Sequence, residues 1–339
     1  MTVLVVVVVL IGLVVVFPDE APAFIRNAVA KVGIGDGAPP PAPTCPLTGK
    51  PGPQGGIPDR PALAVKVENL PEARPQAGLD RADIVYEELV EGGITRFIAV
   101  YQCHDAGRVG PVRSGRLTDP DVLVQFGHPA IGYAGAANQV VKAIDRAGLI
   151  DVNYVAAASA YTRDPNRPAP HDLYASTGAL WKAAGSVEGA PEPVFSYGPD
   201  VQGRSRRAST VHLPFSGYSD VLWKWSRQDG MWLRSHGSVP HALEGGSQVS
   251  ATNVVVMSVE VTYPGTIVDA AGNSSPEVTL TGSGKAYVFR DGRMALGRWE
   301  RASLGDVTKF VSKDGQEIAL APGTTWVELL PSTIPVQAS

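Results

Sequence analysis

The sequence predicts an α/β (α+β) domain followed by a β-rich domain, both behind an N-terminal apolar helix. Three observations predict it. The chain opens on an unbroken apolar run; short β-branched segments interleave with helical patterns from Ala62 to about Ala184; and beyond Ser209 the strands are punctuated by Asp-Gly pairs. At 339 residues the chain is long enough for two domains of ordinary size. Its 37 Gly and 29 Pro predict many turns and little long helix, which argues against an all-helical fold. The balance of 29 basic and 33 acidic residues gives no global field for polyanions, so no nucleic acid is expected as a partner.

The first element covers residues 1–23. Apolar residues run from Val3 to Phe17. As a helix that run rises only about 22 Å, short of the roughly 30 Å hydrocarbon layer, so a membrane-spanning anchor needs Met1, Thr2 and Pro18 at its edges. A signal-peptide core is the rival reading. Ala21-Pro22-Ala23 has the small-x-small pattern of a cleavage site, and no Lys or Arg precedes the run. Either way the remainder is expected outside the cytoplasm, tethered to the cell membrane by the N-terminal helix or secreted if the segment is cut.

Residues 24–56 hold Gly33, Gly35, Gly37, Pro39-Pro40-Pro41 and Pro51-Gly52-Pro53, the composition of a semi-extended linker. Cys45 lies in it, and Cys103 follows the run Phe97 to Tyr101. In an oxidising compartment the two can pair and staple the linker to the first domain; two unpaired thiols are the other reading. No histidine–cysteine spacing fits a four-ligand zinc site, so no metal is expected there, and the sequence names no cofactor.

In the α/β domain, 57–186, Ala64 to Val67, Ile84 to Tyr86, Phe97 to Tyr101 and Ala130 to Tyr133 are the predicted strands. Asp119-Pro120 opens a helix through Phe126, Asn138 opens another that Gly148 ends, and Ser176-Thr177 caps a third running to Ala184. Residues 187–209 carry no sustained period and form the connecting loop. In the β-rich domain, 210–332, Asp229-Gly230, Asp291-Gly292 and Asp314-Gly315 predict hairpins, because Asp-Gly tolerates the positive φ angles of a type I′ turn. Residues 333–339 form a tail.

Several long strings carry a resemblance. They are Pro46-Leu47-Thr48-Gly49, Ala73-Arg74-Pro75-Gln76-Ala77-Gly78-Leu79, Ala82-Asp83-Ile84-Val85-Tyr86-Glu87, Glu91-Gly92-Gly93-Ile94-Thr95-Arg96-Phe97, Gly110-Pro111-Val112-Arg113-Ser114-Gly115-Arg116 and Ala169-Pro170-His171-Asp172-Leu173-Tyr174, with Asn253-Val254-Val255-Val256, Gly282-Ser283-Gly284-Lys285-Ala286 and Pro322-Gly323-Thr324-Thr325-Trp326-Val327-Glu328 further on. In these the chain resembles the YerB-like family (domain of unknown function 3048), lipoprotein-like bacterial proteins of unknown function with an N-terminal and a C-terminal domain. The resemblance spans about Pro46 to Pro331 and implies a cell-envelope protein. Family members resembling lipoproteins have a cysteine directly after the apolar run, and this chain does not. More loosely, Arg81-Ala82-Asp83-Ile84, Val112-Arg113-Ser114 and Tyr133-Ala134-Gly135 leading into the Asn138 helix are similar in order to LytR-CpsA-Psr phosphotransferases. That similarity implies a polyprenyl-phosphate ligand.

The densest polar constellation runs from Asp83 to Arg116. Arginine forks bind phosphate or carboxylate bidentately, so Arg96, Arg113 and Arg116, with Asp83, are the candidate ligand-binding residues for an anionic cell-wall or lipid-linked ligand. Glu87 or Glu91 is placed to act as general base or to hold a divalent cation, and His171 to transfer protons. The structural alternative is that the Arg and Glu side chains pair at a sheet edge, and that His171 sits in a turn with its ring bonded to backbone. Gly282-Ser283-Gly284-Lys285 lacks the earlier glycine of a phosphate loop and reads as a hairpin turn. Trp223, Trp225, Trp232 and Trp299 fit strand register and read as core or cross-strand pairs rather than a sugar-stacking platform. Whether this is an enzyme is left open by the sequence. Two functions remain: an envelope protein that binds, and in one version processes, an anionic ligand, or a non-catalytic scaffold that recruits an envelope protein partner.

Overall fold

A computed structural model describes residues 43–339 except 55, 188, 201–203 and 270. The apolar helix expected at 1–23 and the linker up to 42 lie outside the described residues. From Thr44 to Ser339 the chain forms one compact unit in which two regions share a sheet. The architecture is mostly strand, with three α-helices among the described residues.

Strands β1 (Leu63–Glu68), β2 (Ile84–Leu89) and β3 (Thr95–Tyr101) are buried at every position, as expected of central strands covered on both faces. β4 (Ala130–Gly132) and β5 (Ile150–Asp151) extend the sheet in parallel with β1, and β6 (Tyr161–Arg163) pairs with β7 (Leu173–Ala175) in a small hairpin. β8 (Ser205–Arg207) lies in the segment expected to be a loop and pairs with a strand of the second region. A second sheet then forms from β9 (Thr210–Pro214), β10 (Asp220–Ser226), β11 (Met231–His236), β12 (Val239–Pro240) and β13 (Ser250–Ala251). The chain returns to the large sheet through β14 (Asn253–Thr262), β15 (Glu277–Thr279), β16 (Gly282–Arg290), β17 (Arg293–Arg301), β18 (Lys309–Ser312) and β19 (Thr325–Pro331). Finally β20 (Gln337–Ala338) closes the edge of the smaller sheet beside β9.

The large sheet has the order β18-β17-β16-β14-β19-β2-β3-β1-β4-β5, with β15 on β14 and β8 on β17. Its seam is the parallel pairing of β19 with β2, where Glu328 stands opposite Glu87. One face packs on the smaller sheet: Val85, Phe97, Trp326, Val254 and Phe289 meet Trp223 and Trp232. The other face packs on α1 (Thr118–Leu123) and α2 (Asn138–Arg146), where Tyr86, Ile98, Val100 and Ile131 meet Val122, Leu123, Val140 and Ile144. α3 (Thr177–Ala184) buries Leu180 and Trp181 in the first of these cores. The smaller sheet alternates buried and half-exposed positions, because only one of its faces is covered.

Local details refine the sequence expectations. Ser176 precedes α3, but its hydroxyl makes no capping bond. Only Asp291-Gly292 forms a two-residue turn with both φ angles positive, at 52° and 64°. At Asp229-Gly230 and Asp314-Gly315 only the glycine is left-handed, so those turns are longer. Gly282 to Lys285 is not a hairpin turn: it begins β16 and pairs with β17. The tryptophans do fill cores: Trp223 lies edge-on to Trp326 with ring centroids 5.3 Å apart, and Trp225 pairs across strands with Trp232 at 5.4 Å. The cysteines are joined, Cys45 to Cys103.

Candidate functional site

Strand alternation separates the acidic residues that the sequence groups together. Successive side chains on β2 point to opposite faces, so Glu87 enters the core between the sheets and Glu88 faces the helices. Glu87 accepts two hydrogen bonds from Arg234 Nη2, 2.9 Å to Oε1 and 2.7 Å to Oε2, and a third from the Thr95 hydroxyl at 2.7 Å. All three residues are fully buried. Arg234 Nη1 also donates to His241 Nδ1 at 2.8 Å, while His241 Nε2 meets Gln76 Oε1 at 2.8 Å. Burial and the neighbouring Arg234 hold the His241 pKa well below its usual value, so the ring is neutral with its proton on Nε2. Beside Glu87, Glu328 accepts the Trp223 indole N–H at 2.7 Å. Burial first, then the charge of Glu87, pushes the Glu328 pKa well up. A neutral Glu328 carboxyl donates its proton to Glu87, which accounts for a second oxygen that finds no donor among the described residues.

On the helix side a different cluster gathers at the carboxyl ends of β1 and β2. Lys66 reaches Glu88, and Asp119 of α1 at 2.5 Å, in a fully buried triad. Burial first, with the charge of Asp119, raises the Glu88 pKa against the pull of Lys66. The segment 111–116 runs along this end as a strap: Glu68 N–H donates to Pro111 O at 2.9 Å, Arg113 N–H to Lys66 O at 2.9 Å, and Gly115 N–H to Gly135 O at 3.0 Å. The strap carries Arg113, whose Nε donates to Glu68 Oε1 at 3.0 Å, and Arg116, which grips Glu91 Oε2 through Nε at 2.9 Å and Nη2 at 2.5 Å. His171 Nδ1 meets the other Glu68 oxygen at 2.9 Å. Burial raises the Glu91 pKa, but the hydrogen bond and charge of Arg116 outweigh it, and the net shift is downward.

Arg96 is the exception in this cluster. On β3 it stands in register between Glu68 of β1 and Glu88 of β2, yet both carboxylates are drawn to other cations. It is 6% exposed and makes no ion pair among the described residues. One Nη1 bond to Ser114 O at 3.1 Å is its hydrogen bond to the protein, and its Nε is buried without a partner. Burial, then the like charges of Arg116 and Arg113, lowers its pKa to about 10 against the opposing pull of Glu91 and Glu68. It stays cationic at neutral pH, a desolvated guanidinium with unfilled donors.

Of the residues singled out in the sequence, Glu91, Arg96, Arg113, Arg116 and His171 therefore share one end of the large sheet. Glu87 does not join them, because it lies on the opposite face. Asp83 sits before the other end of β2, accepting the backbone N–H groups of Gln102 and Cys103 and pairing with His104 at 2.6 Å. The His171 ring bonds to Glu68 rather than to backbone. Arg234, Glu68 and Lys66 were missed. Lys66 and Glu68 had a legible signal, two charges at period two inside the apolar strand Leu63–Glu68. Arg234 had none, since it pairs with Glu87 across 147 positions.

Comparison with known proteins agrees with this architecture. Residues 47–189 match the profile described as "Protein of unknown function (DUF3048) N-terminal domain", and residues 211–327 match its C-terminal domain. The chain belongs to this YerB-like family. It is similar to the protein described as "Putative lipoprotein YerB" of Bacillus subtilis (strain 168), 29% identical over 290 residues, which is 81% of this chain and 82% of that protein. The crystal structure of the YerB protein from Bacillus subtilis superposes with a TM-score of 0.73 at 26% identity, covering 87% of this chain and 99% of that one. The family resemblance read from the sequence motifs is thus shown; the looser similarity to LytR-CpsA-Psr enzymes finds no support in these matches.

Proposed function

We propose that this YerB-like chain is a membrane-tethered, extracytoplasmic cell-envelope protein that binds an anionic, phosphate-bearing cell-wall or lipid-linked ligand at Arg96, Arg113 and Arg116. The observation that carries the reading is Arg96. A buried guanidinium with no carboxylate hydrogen-bonded to it costs several kcal/mol, roughly, and an incoming phosphate or carboxylate recovers that cost through charge-assisted bonds. Arg113 presents its outer fork at the same end, 24% exposed, because Glu68 engages only its Nε. The site sits at the carboxyl ends of the parallel strands β1, β2 and β4, the end at which mixed and parallel sheets present ligand-binding crevices. The Cys45–Cys103 disulfide supports an oxidising, extracytoplasmic setting, and the lipoprotein description of the Bacillus relative supports tethering. No helix among the described residues is long and apolar enough to cross a membrane, so the tether falls to residues 1–23.

Binding is favoured over processing. Glu87 is sealed between the sheets, and Arg116 holds Glu91 ionised and engaged, which leaves neither positioned to abstract a proton. The same pairing supports the scaffold reading, in which a protein partner rather than a phosphate group meets this end. Calorimetric titration with inorganic pyrophosphate and with a polyprenyl pyrophosphate in micelles separates the two. Saturable binding of both that is lost in Arg96→Met supports the anion site; no heat from either probe, or equal binding by the variant, removes it.

A further inference from the structure

The large sheet is not regular throughout. Met257 of β14 pairs with Ala286 of β16, but Glu260 pairs with Thr279 of β15, so residues 280–285 face only 258–259. The excess chain bulges out of the β14 ladder, and such bulges re-aim side chains and open the ladder. Its backbone is held by two close approaches. The Trp299 indole N–H donates to the Ser258 carbonyl at 2.9 Å, and a Cβ on Gly284 would lie 2.5 Å from that carbonyl oxygen and 2.5 Å from Trp299 Nε1, which is why glycine stands there. The bulge turns the Gly282-Ser283-Gly284-Lys285 string from a presumed turn into one wall of a cleft of about 380 Å³.

The cleft's lining has a chemistry unlike the arginine cluster. Thr281 and Ser283 contribute hydroxyls, Glu260 a carboxylate, Lys285 an ammonium, and Trp299 part of the floor. Among the described residues, none of the side chains of Thr281, Ser283, Glu260 and Lys285 makes a hydrogen bond or an ion pair. The lining therefore offers both donors and acceptors, with opposite charges that cancel, above the largely buried Trp299. With Glu260 and Lys285 cancelling, the cleft has no net positive charge to favour a phosphate, and a flat apolar ligand would strand the hydroxyls. A saccharide matches, because each of its hydroxyls is donor and acceptor at once and can meet the hydroxyls of Thr281 and Ser283 as well as the charged pair.

We propose that this bulge cleft is a binding site for an uncharged saccharide, independent of the arginine cluster. The proposal does not rest on the anion site, and the two fail separately. The test is calorimetric titration of the full-length protein with chitotriose, a neutral trimer of N-acetylglucosamine, alongside inorganic pyrophosphate. Saturable chitotriose binding is expected, weakened about tenfold in a Thr281→Val, Ser283→Ala double variant through the loss of two hydrogen bonds. That variant is expected to keep the wild-type melting temperature and pyrophosphate response, and Arg96→Met is expected to keep the chitotriose response. No saturable chitotriose heat, wild-type affinity in the double variant, or loss of chitotriose binding in Arg96→Met each overturns the cleft assignment.

Discussion

Between the two sheets, Glu87 is enclosed by Arg234, Thr95 and a neutral Glu328, with every charge answered by a partner. On the helix side of the same strand, Glu88 closes onto Lys66 while Arg96, one strand away, is left without a carboxylate. Both clusters are buried and both mix Arg with Glu, so burial and composition do not tell them apart. What differs is completeness. The inter-sheet set joins two layers and completes its ion pair, Glu87 with Arg234, even though Arg234 Nε finds no partner among the described residues, as expected of a device that fixes how the sheets meet. The strand-end set holds as many carboxylates as cations, but Lys66 takes two of them, Glu88 and Asp119, and Arg96 is left without an ion pair, as expected of a device that waits for a ligand.

The largest effect expected from this contrast is at Arg234. Arg234→Met strands the Glu87 charge between the sheets and is expected to cost about 3–5 kcal/mol in chemical denaturation; a variant as stable as wild type would break the idea that this pair holds the layers together. Next comes the Cys45–Cys103 staple, which joins positions 58 apart at the Asp83 end of the sheet. Cys45→Ser with Cys103→Ser is expected to lose about 2–4 kcal/mol while leaving pyrophosphate affinity intact, because the strap of Arg113 and Arg116 lies at the opposite end. A parallel loss of affinity would show that the two ends are not independent.

Smaller, and diagnostic of the proton between Glu87 and Glu328, is the pH dependence. The fold raises the Glu328 pKa above its ordinary 4.5, so the native state keeps a proton that the unfolded chain releases. That contribution is complete below pH 4.5 and is lost as pH rises toward the folded value. Glu328→Gln keeps a donor toward Glu87 without titrating. Its stability relative to wild type should therefore grow, by up to about 1.4 kcal/mol per pH unit, across that window. Parallel stability curves for the two proteins would remove the shared proton. Opposite in sign is the change at Arg96: Arg96→Met removes the desolvated charge and is expected to raise stability by about 1 kcal/mol or more, measured by urea unfolding, while removing anion binding. A large destabilisation there would make Arg96 part of the frame instead.

Much of the large sheet was legible. Ala64 to Val67, Ile84 to Tyr86 and Phe97 to Tyr101 read as strands because β-branched and aromatic residues run uninterrupted between turn signals, and they lie inside β1, β2 and β3. The helices opening at Asp119 and Asn138 were equally readable from apolar spacing. β8 escaped because three residues rich in arginine have no period to detect, and pairing with β17 alone makes them a strand. At the candidate site, Arg96, Arg113, Arg116, Glu91 and His171 were found because they crowd into short motifs. The error was to keep Glu87 with them, since adjacent side chains on a strand part to opposite faces.

Local chemistry by itself determined where the central strands β1 to β3, the helices and the Asp291-Gly292 turn form, which strings mark the family, and that Arg and Glu concentrate around β2 and β3. Only the tertiary structure decided that β19 enters beside β2, that Arg234 answers Glu87, and that Arg96 keeps an unanswered charge. Propensity and periodicity act over a few residues. Which carboxylate meets which guanidinium depends instead on register and layer packing, both set by contacts between residues far apart in the chain.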